Sequence, residues 1–136
     1  PLEDGAVFFA AGVFYYFRTE QVQALCAAMA RRFPGGRLVF DAAGPTAVKL
    51  MLKTWVKQAG IRDVGAYFSV RDAEKELPAW SARICVSSRG YMLGYRELRG
   101  PGIRPIHRLL AGIADGPLKL RIVRMAFRSS DADDDG

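Results

Sequence analysis

Residues 6–17 read Ala6-Val-Phe-Phe-Ala-Ala-Gly-Val-Phe-Tyr-Tyr-Phe17, and residues 37–43 read Arg37-Leu-Val-Phe-Asp-Ala-Ala43. Between them the hydrophobic period changes. Val22, Leu25, Cys26, Met29 and Phe33 recur at i, i+3, i+4, i+7 and i+11, the spacing of one helical face, with Thr19 and Glu20 suited to the helix start. Pro34-Gly35-Gly36 stops that helix. The run Ala6–Ala11 is continuously apolar rather than alternating, the pattern of a strand buried on both faces. Strand, helix and strand in this order predict a right-handed crossover between two parallel neighbours, so an α/β fold.

Working outward, Gly44-Pro45 opens a second helix with Pro at its first position, where a missing N–H costs nothing. Val48, Met51, Leu52, Trp55, Val56 and Ala59 form its apolar face, read as core, and Lys49, Lys53 and Lys57 its basic stripe, with Gly60 as C-cap. Farther on, Val70–Leu77 predicts a short helix closed by Pro78. A strand is predicted over Ser81–Ser88, facing inward at Ala82, Ile84 and Val86, then a weak helix over Arg104–Ile113. The last strand, Lys119–Arg128, has Leu120 and Ile122 as its apolar set. The last two strands are expected to pair antiparallel at a sheet edge. Residues 1–130 read as one folded unit, and Asp131-Ala-Asp-Asp-Asp-Gly136 as an acidic disordered tail.

The 136 residues are half hydrophobic and a quarter charged, which excludes a disordered or fibrous chain. Arg18, Glu20, Arg31 and Lys49 interrupt every apolar run short of the roughly 18 residues a membrane-spanning helix needs. The first apolar run lacks the basic flank and cleavage site of a signal peptide. Starting at Pro1 and running almost at once into a strand, the chain reads as part of a longer protein. The net charge is +6, and removing the four acids of the tail makes it +10. Those basic residues are scattered and not interleaved with aromatics, so the reading is a solvated surface rather than a nucleic-acid interface. Cys26 and Cys85 fall on apolar positions without C-x-x-C spacing, as expected of reduced cysteines in a cytoplasmic protein.

Ligands of open α/β sheets bind beyond the carboxyl ends of the strands. Here those ends are Ala10–Phe17 and Asp41–Thr46, two loops expected side by side. Gly12 allows close backbone approach, and Tyr15 and Tyr16 offer flat faces and hydroxyls, although aromatics at such places equally fill the space between sheet and helix. Asp41 can cap the Pro45 helix, bind a polar ligand group or act as a base. His107, the sole histidine, reads as a surface residue. No G-x-S-x-G, P-loop or dinucleotide fingerprint is present, and one His with two separated Cys does not make a zinc site.

The run Ala10-Ala-Gly-Val-Phe-Tyr-Tyr-Phe17, then Glu20-Gln-Val22, then Arg32-Phe-Pro-Gly-Gly-Arg-Leu-Val-Phe-Asp41, resembles the S-adenosylmethionine-dependent leucine carboxyl methyltransferase family, which includes polyketide-synthesis O-methyltransferases of the tetracenomycin type. Asp72-Ala-Glu-Lys-Glu-Leu-Pro-Ala-Trp80 and Arg121-Ile-Val-Arg-Met-Ala-Phe127 are similar to it as well. The resemblance implies the C-terminal half of a Rossmann-like class I methyltransferase sheet, with parallel strands, helical crossovers and a terminal antiparallel pair. It implies S-adenosylmethionine as cofactor, with Ala11, Gly12 and Val13 on the cofactor side, and a small-molecule methyl acceptor carrying a hydroxyl or carboxylate near Tyr16, Tyr15 and Asp41. The family's glycine loop is not among these residues, and Ala11 stands where the family commonly has Glu. The 136 residues alone are therefore expected to be inactive. The alternative is a degenerate, non-catalytic methyltransferase-like module for binding or oligomerisation. In either case the exposed edge of the first strand is expected to favour self-association.

Overall fold

A computed structural model describes residues 5–59, 67–92 and 95–129, with the side chains of 55–59 and 96 left aside. The acidic tail, Gly60, and the side chains of Trp55, Val56, Lys57 and Ala59 lie outside that description. In chain order the elements are β1 (Val7–Ala10), α1 (Thr19–Arg32), β2 (Arg37–Ala42), α2 (Pro45–Ala59), α3 (Ala73–Glu76), β3 (Ile84–Gly90), α4 (Pro105–Asp115) and β4 (Arg121–Phe127). Short 3₁₀ turns at Phe14–Tyr16, Pro78–Trp80 and Tyr95–Glu97 join them.

The four strands form one mixed sheet in the order β1-β2-β4-β3. β1 and β2 are parallel, with Phe8 opposite Leu38 and Ala10 opposite Phe40. α1 connects them, as two parallel neighbours require. β4 runs antiparallel to both β2 and β3 and sits between them. The expected antiparallel pair is therefore present, but only β3 lies at the edge.

One face of the sheet carries the main core. Phe8, Leu38, Phe40, Val123, Met125, Phe127 and Ile84 point to it, and Val22, Cys26 and Ala30 of α1 cover it. Phe14, Phe40, Phe68 and Trp80 run through this layer as a chain of ring contacts, with centroids 5.1 Å apart for Phe14–Phe40, 6.1 Å for Phe40–Phe68 and 5.9 Å for Phe68–Trp80. Each such pair contributes about 0.5–1.5 kcal/mol beyond its buried area. At the end of α1, Gly35 adopts φ +79°, a left-handed conformation that suits glycine, and donates its N–H to the Phe127 carbonyl. The α1–β2 turn is thus tied to the end of β4.

Three details depart from the sequence reading. β1 is exposed on alternate residues, with Phe9 77% exposed, because it is an edge strand and none of the described residues covers the second face at that point. On α1 the packed stripe is Val22, Cys26 and Ala30 with Met29 and Phe33 beside it, whereas Leu25 is turned out. In β4 the inward set is Val123, Met125 and Phe127, and Ile122 has the opposite parity, since the register with Phe40 and Leu38 fixes which side faces α1. Among the described residues no helix is long and apolar enough to cross a membrane.

Candidate functional site

The parallel pairing of β1 with β2 brings their carboxyl ends together, so the loops that follow them meet. After Ala10 the chain turns at Gly12, whose φ of +64° is left-handed, and the Gly12 N–H donates to Asp41 Oδ1 at 2.6 Å. This bond joins residues 29 apart in sequence. It closes the mouth of the first loop against the end of β2.

The 3₁₀ turn Phe14–Tyr16 then directs Phe14 into the main core and Tyr15 into a second cluster with Ala43, Ala47, Val48 and Leu52. Tyr15 is buried and its hydroxyl donates to the Asp41 carboxylate. Burial, then the hydrogen bond to Asp41, then the charges of Asp41 and Tyr91, push the phenol far above its ordinary value. Tyr15 is neutral throughout the working pH range, and it acts as a donor. After the turn, the Phe68 N–H donates to the Phe17 carbonyl, so the chain that returns after α2 is pinned to the same loop.

Around these groups lies a cavity of about 200 Å³, lined by Gly12, Tyr15, Tyr16 and Asp41 from the strand loops and by Val48, Met51 and Leu52 from α2. Its walls are apolar apart from the Asp41 carboxylate and the tyrosine hydroxyls. Among the described residues no cationic side chain lines it.

The residues expected here divide in two. Gly12, Tyr15, Tyr16 and Asp41 are brought together. Ala11 and Val13 are exposed on the outer side of the loop and do not line the cavity. Tyr15 is less a ligand-facing ring than a buried support for Asp41, and Asp41 accepts from Gly12 and Tyr15 rather than from the first turn of α2, where the Val48 N–H bonds the Gly44 carbonyl. Val48, Met51 and Leu52, read from their spacing as core, also form the cavity's far wall; the signal that points to this is their position in the two turns directly after β2 ends.

Elsewhere, His107 is exposed, Cys26 is buried and free, and half-buried Cys85 accepts the Arg128 Nε–H at 2.8 Å. Comparison of the chain with family models, curated proteins and solved structures returns no match.

Proposed function

We propose that this chain forms the acceptor side of an S-adenosylmethionine-dependent O-methyltransferase acting on a hydroxyl group of a small molecule. The observation that carries the reading is the Asp41 cavity at the carboxyl ends of two adjacent parallel strands, where open α/β sheets hold their ligands. A carboxylate held by Gly12 and Tyr15 in an apolar wall accepts a hydrogen bond from a neutral hydroxyl. An anionic acceptor would meet the like charge of Asp41 with no cation among the described residues of the wall to offset it, which favours a hydroxyl over a carboxylate.

The cofactor supplies an electrophilic methyl group when bound. The residues assigned to it by resemblance are compatible with that role: Ala11 and Val13 are exposed, and nothing lies within 4 Å of where a Gly12 Cβ would stand, so the backbone of this loop is an open shelf on the solvent side of the cavity. Tyr16 stands between shelf and cavity, half-exposed, where it orients an acceptor. Asp41 holds the acceptor hydroxyl and takes its proton, and the apolar wall from α2 excludes water from that oxygen.

The test is residue-resolved NMR with S-adenosylmethionine and with phenol as a probe acceptor. The cofactor is expected to shift the amides of Ala11, Gly12 and Val13 and phenol those around Asp41 and Met51, the latter response being lost in Asp41→Asn. Unmoved amides at 11–13 with millimolar cofactor would remove the methyltransferase reading.

The second reading is a non-catalytic module that associates through its sheet edge. It rests on the exposed side chains of Val7 and Phe9 on β1, whose outer side pairs with none of the described residues, and on Ala11, which offers no side-chain acceptor. Self-association in sedimentation together with silence toward the cofactor is its signature.

A further inference from the structure

The register of the sheet collects arginines that are scattered along the chain. On the side of the sheet away from α1, Arg37 of β2 stands opposite Ala126 of β4, which makes it the diagonal neighbour of Arg124 and of Arg128. Arg89 of β3 stands opposite Ile122, which makes it the diagonal neighbour of Arg124. Diagonal neighbours on one face of an antiparallel pair lie about 7–8 Å apart. Arg128, Arg37, Arg124 and Arg89 therefore follow one another in even steps, a zigzag across the face. Arg128 comes just after β4, but its N–H donates to the Arg83 carbonyl and its Nε–H reaches Cys85 Sγ, opposite Ala126 on this same side. All four arginines are exposed. Asp41, the acid on this side of β2, stands at the far end with its carboxylate taken by Gly12 and Tyr15.

Between the guanidinium groups the floor is made of short side chains. Ala126, Cys85 and Ser87 leave it flat and shallow. At the edge, Phe9 stands opposite Val39 on the strand next to Arg37, and its ring is 77% exposed. Like charges at diagonal positions of a sheet repel, so this arrangement costs stability that a bound polyanion returns. An even row of cations fits an even row of anions, and guanidinium planes as well as an aromatic ring stack on flat groups. Repeating phosphates carrying planar bases have both properties. A duplex hides its base faces from Phe9, and an acidic peptide or a lipid headgroup brings no base to stack there.

We propose that this face of the sheet binds single-stranded nucleic acid without sequence preference, its phosphates on Arg128, Arg37, Arg124 and Arg89 and a base on Phe9. The surface is distinct from the Asp41 cavity and independent of methyl transfer. In fluorescence anisotropy a labelled oligothymidylate of about 16 nucleotides is expected to bind the full chain. The logarithm of its affinity should fall against the logarithm of salt concentration with a slope of about −2 to −3, as about three or four phosphate contacts on a single strand require. Arg37→Gln with Arg124→Gln is expected to weaken binding about tenfold or more and to make the slope shallower by about 1.4. Phe9→Ala is expected to weaken binding about fivefold or more with the slope unchanged, because it removes stacking and no charge. Lys49→Gln with Lys53→Gln removes the same charge from exposed positions of α2 and is expected to change affinity by no more than about twofold. Absence of binding at low salt overturns the proposal. So does an equal loss in the lysine and arginine pairs, which would reduce the contact to net charge. Undiminished binding by the arginine pair or by Phe9→Ala, their folds checked by circular dichroism, overturns it too, as does equally tight binding of a duplex of the same length, of polyaspartate or of phosphatidylglycerol vesicles.

Discussion

The Asp41–Tyr15 contact gives a sharp energetic test of how the candidate site is held. In Asp41→Ala the buried Tyr15 hydroxyl loses its acceptor, and an unsatisfied buried donor costs about 1–3 kcal/mol. The Gly12 N–H loses the same acceptor, but it is exposed and water replaces the carboxylate there, so it adds little. Tyr15→Phe removes the donor and leaves Asp41 with Gly12 and solvent, a loss of about 0.5–1.5 kcal/mol. The double variant has neither the unpaired hydroxyl nor the carboxylate. Its loss is therefore smaller than the sum of the two single losses, by a coupling of about 0.5–3 kcal/mol as found for residues in direct contact. Asp41→Asn keeps an acceptor oxygen in the same place and is expected to lose less stability than Asp41→Ala while still losing the phenol response. Urea unfolding of all four variants with matched m-values measures these quantities. Additivity of Asp41→Ala and Tyr15→Phe within about 0.5 kcal/mol would show that the hydroxyl is not satisfied by Asp41 and would refute the description of the site.

Other outcomes follow from burial and exposure. Burial pushes the Cys26 thiol from 9.0 up to about 12, so the folded chain keeps a proton that the unfolded chain releases. Stability is thus intact below about pH 9 and falls above it by at most about 1.4 kcal/mol per pH unit, Tyr15 adding a loss of the same sign above about pH 10; urea midpoints in Cys26→Ala are expected to lose the first part of this decline. In native alkylation followed by mass spectrometry, half-buried Cys85 is expected to react well before fully buried Cys26, and the reverse order would contradict the packing of α1. Phe40→Ala removes a ring from the centre of the core and is expected to cost about 3–5 kcal/mol, visible as a large drop in the thermal midpoint. Phe9→Lys places a charge on the exposed face of the β1 edge; it is expected to suppress self-association in sedimentation and to change stability by no more than about 0.5 kcal/mol, and a monomeric parent chain would remove the edge reading.

What could be read from the sequence was what depends on near neighbours along the chain. The β1–α1–β2 unit is legible because its period changes from strand to helix and back within some forty residues, with Pro34-Gly35-Gly36 marking the return. The place of the site was legible for the same reason: two adjacent parallel strands end at Ala10 and at Ala42, next to Asp41, so their loops meet. Which atom meets which was not, because the Gly12–Asp41 bond and the burial of Tyr15 depend on how a 3₁₀ turn and α2 fill the space between the loops. Parity in β4 failed likewise, since both alternating sets are partly apolar and the register with β2 decides between them. Helices α1 and α4 sharpen the point. Both carry an apolar stripe at helical spacing, yet α1 turns most of its stripe onto the sheet whereas α4 seats itself on Ala111 and leaves Leu109, Leu110 and Ile113 exposed. A hydrophobic period states that a face has to be covered. Which element covers it depends on contacts far apart in sequence, and at α4 the described residues leave it exposed.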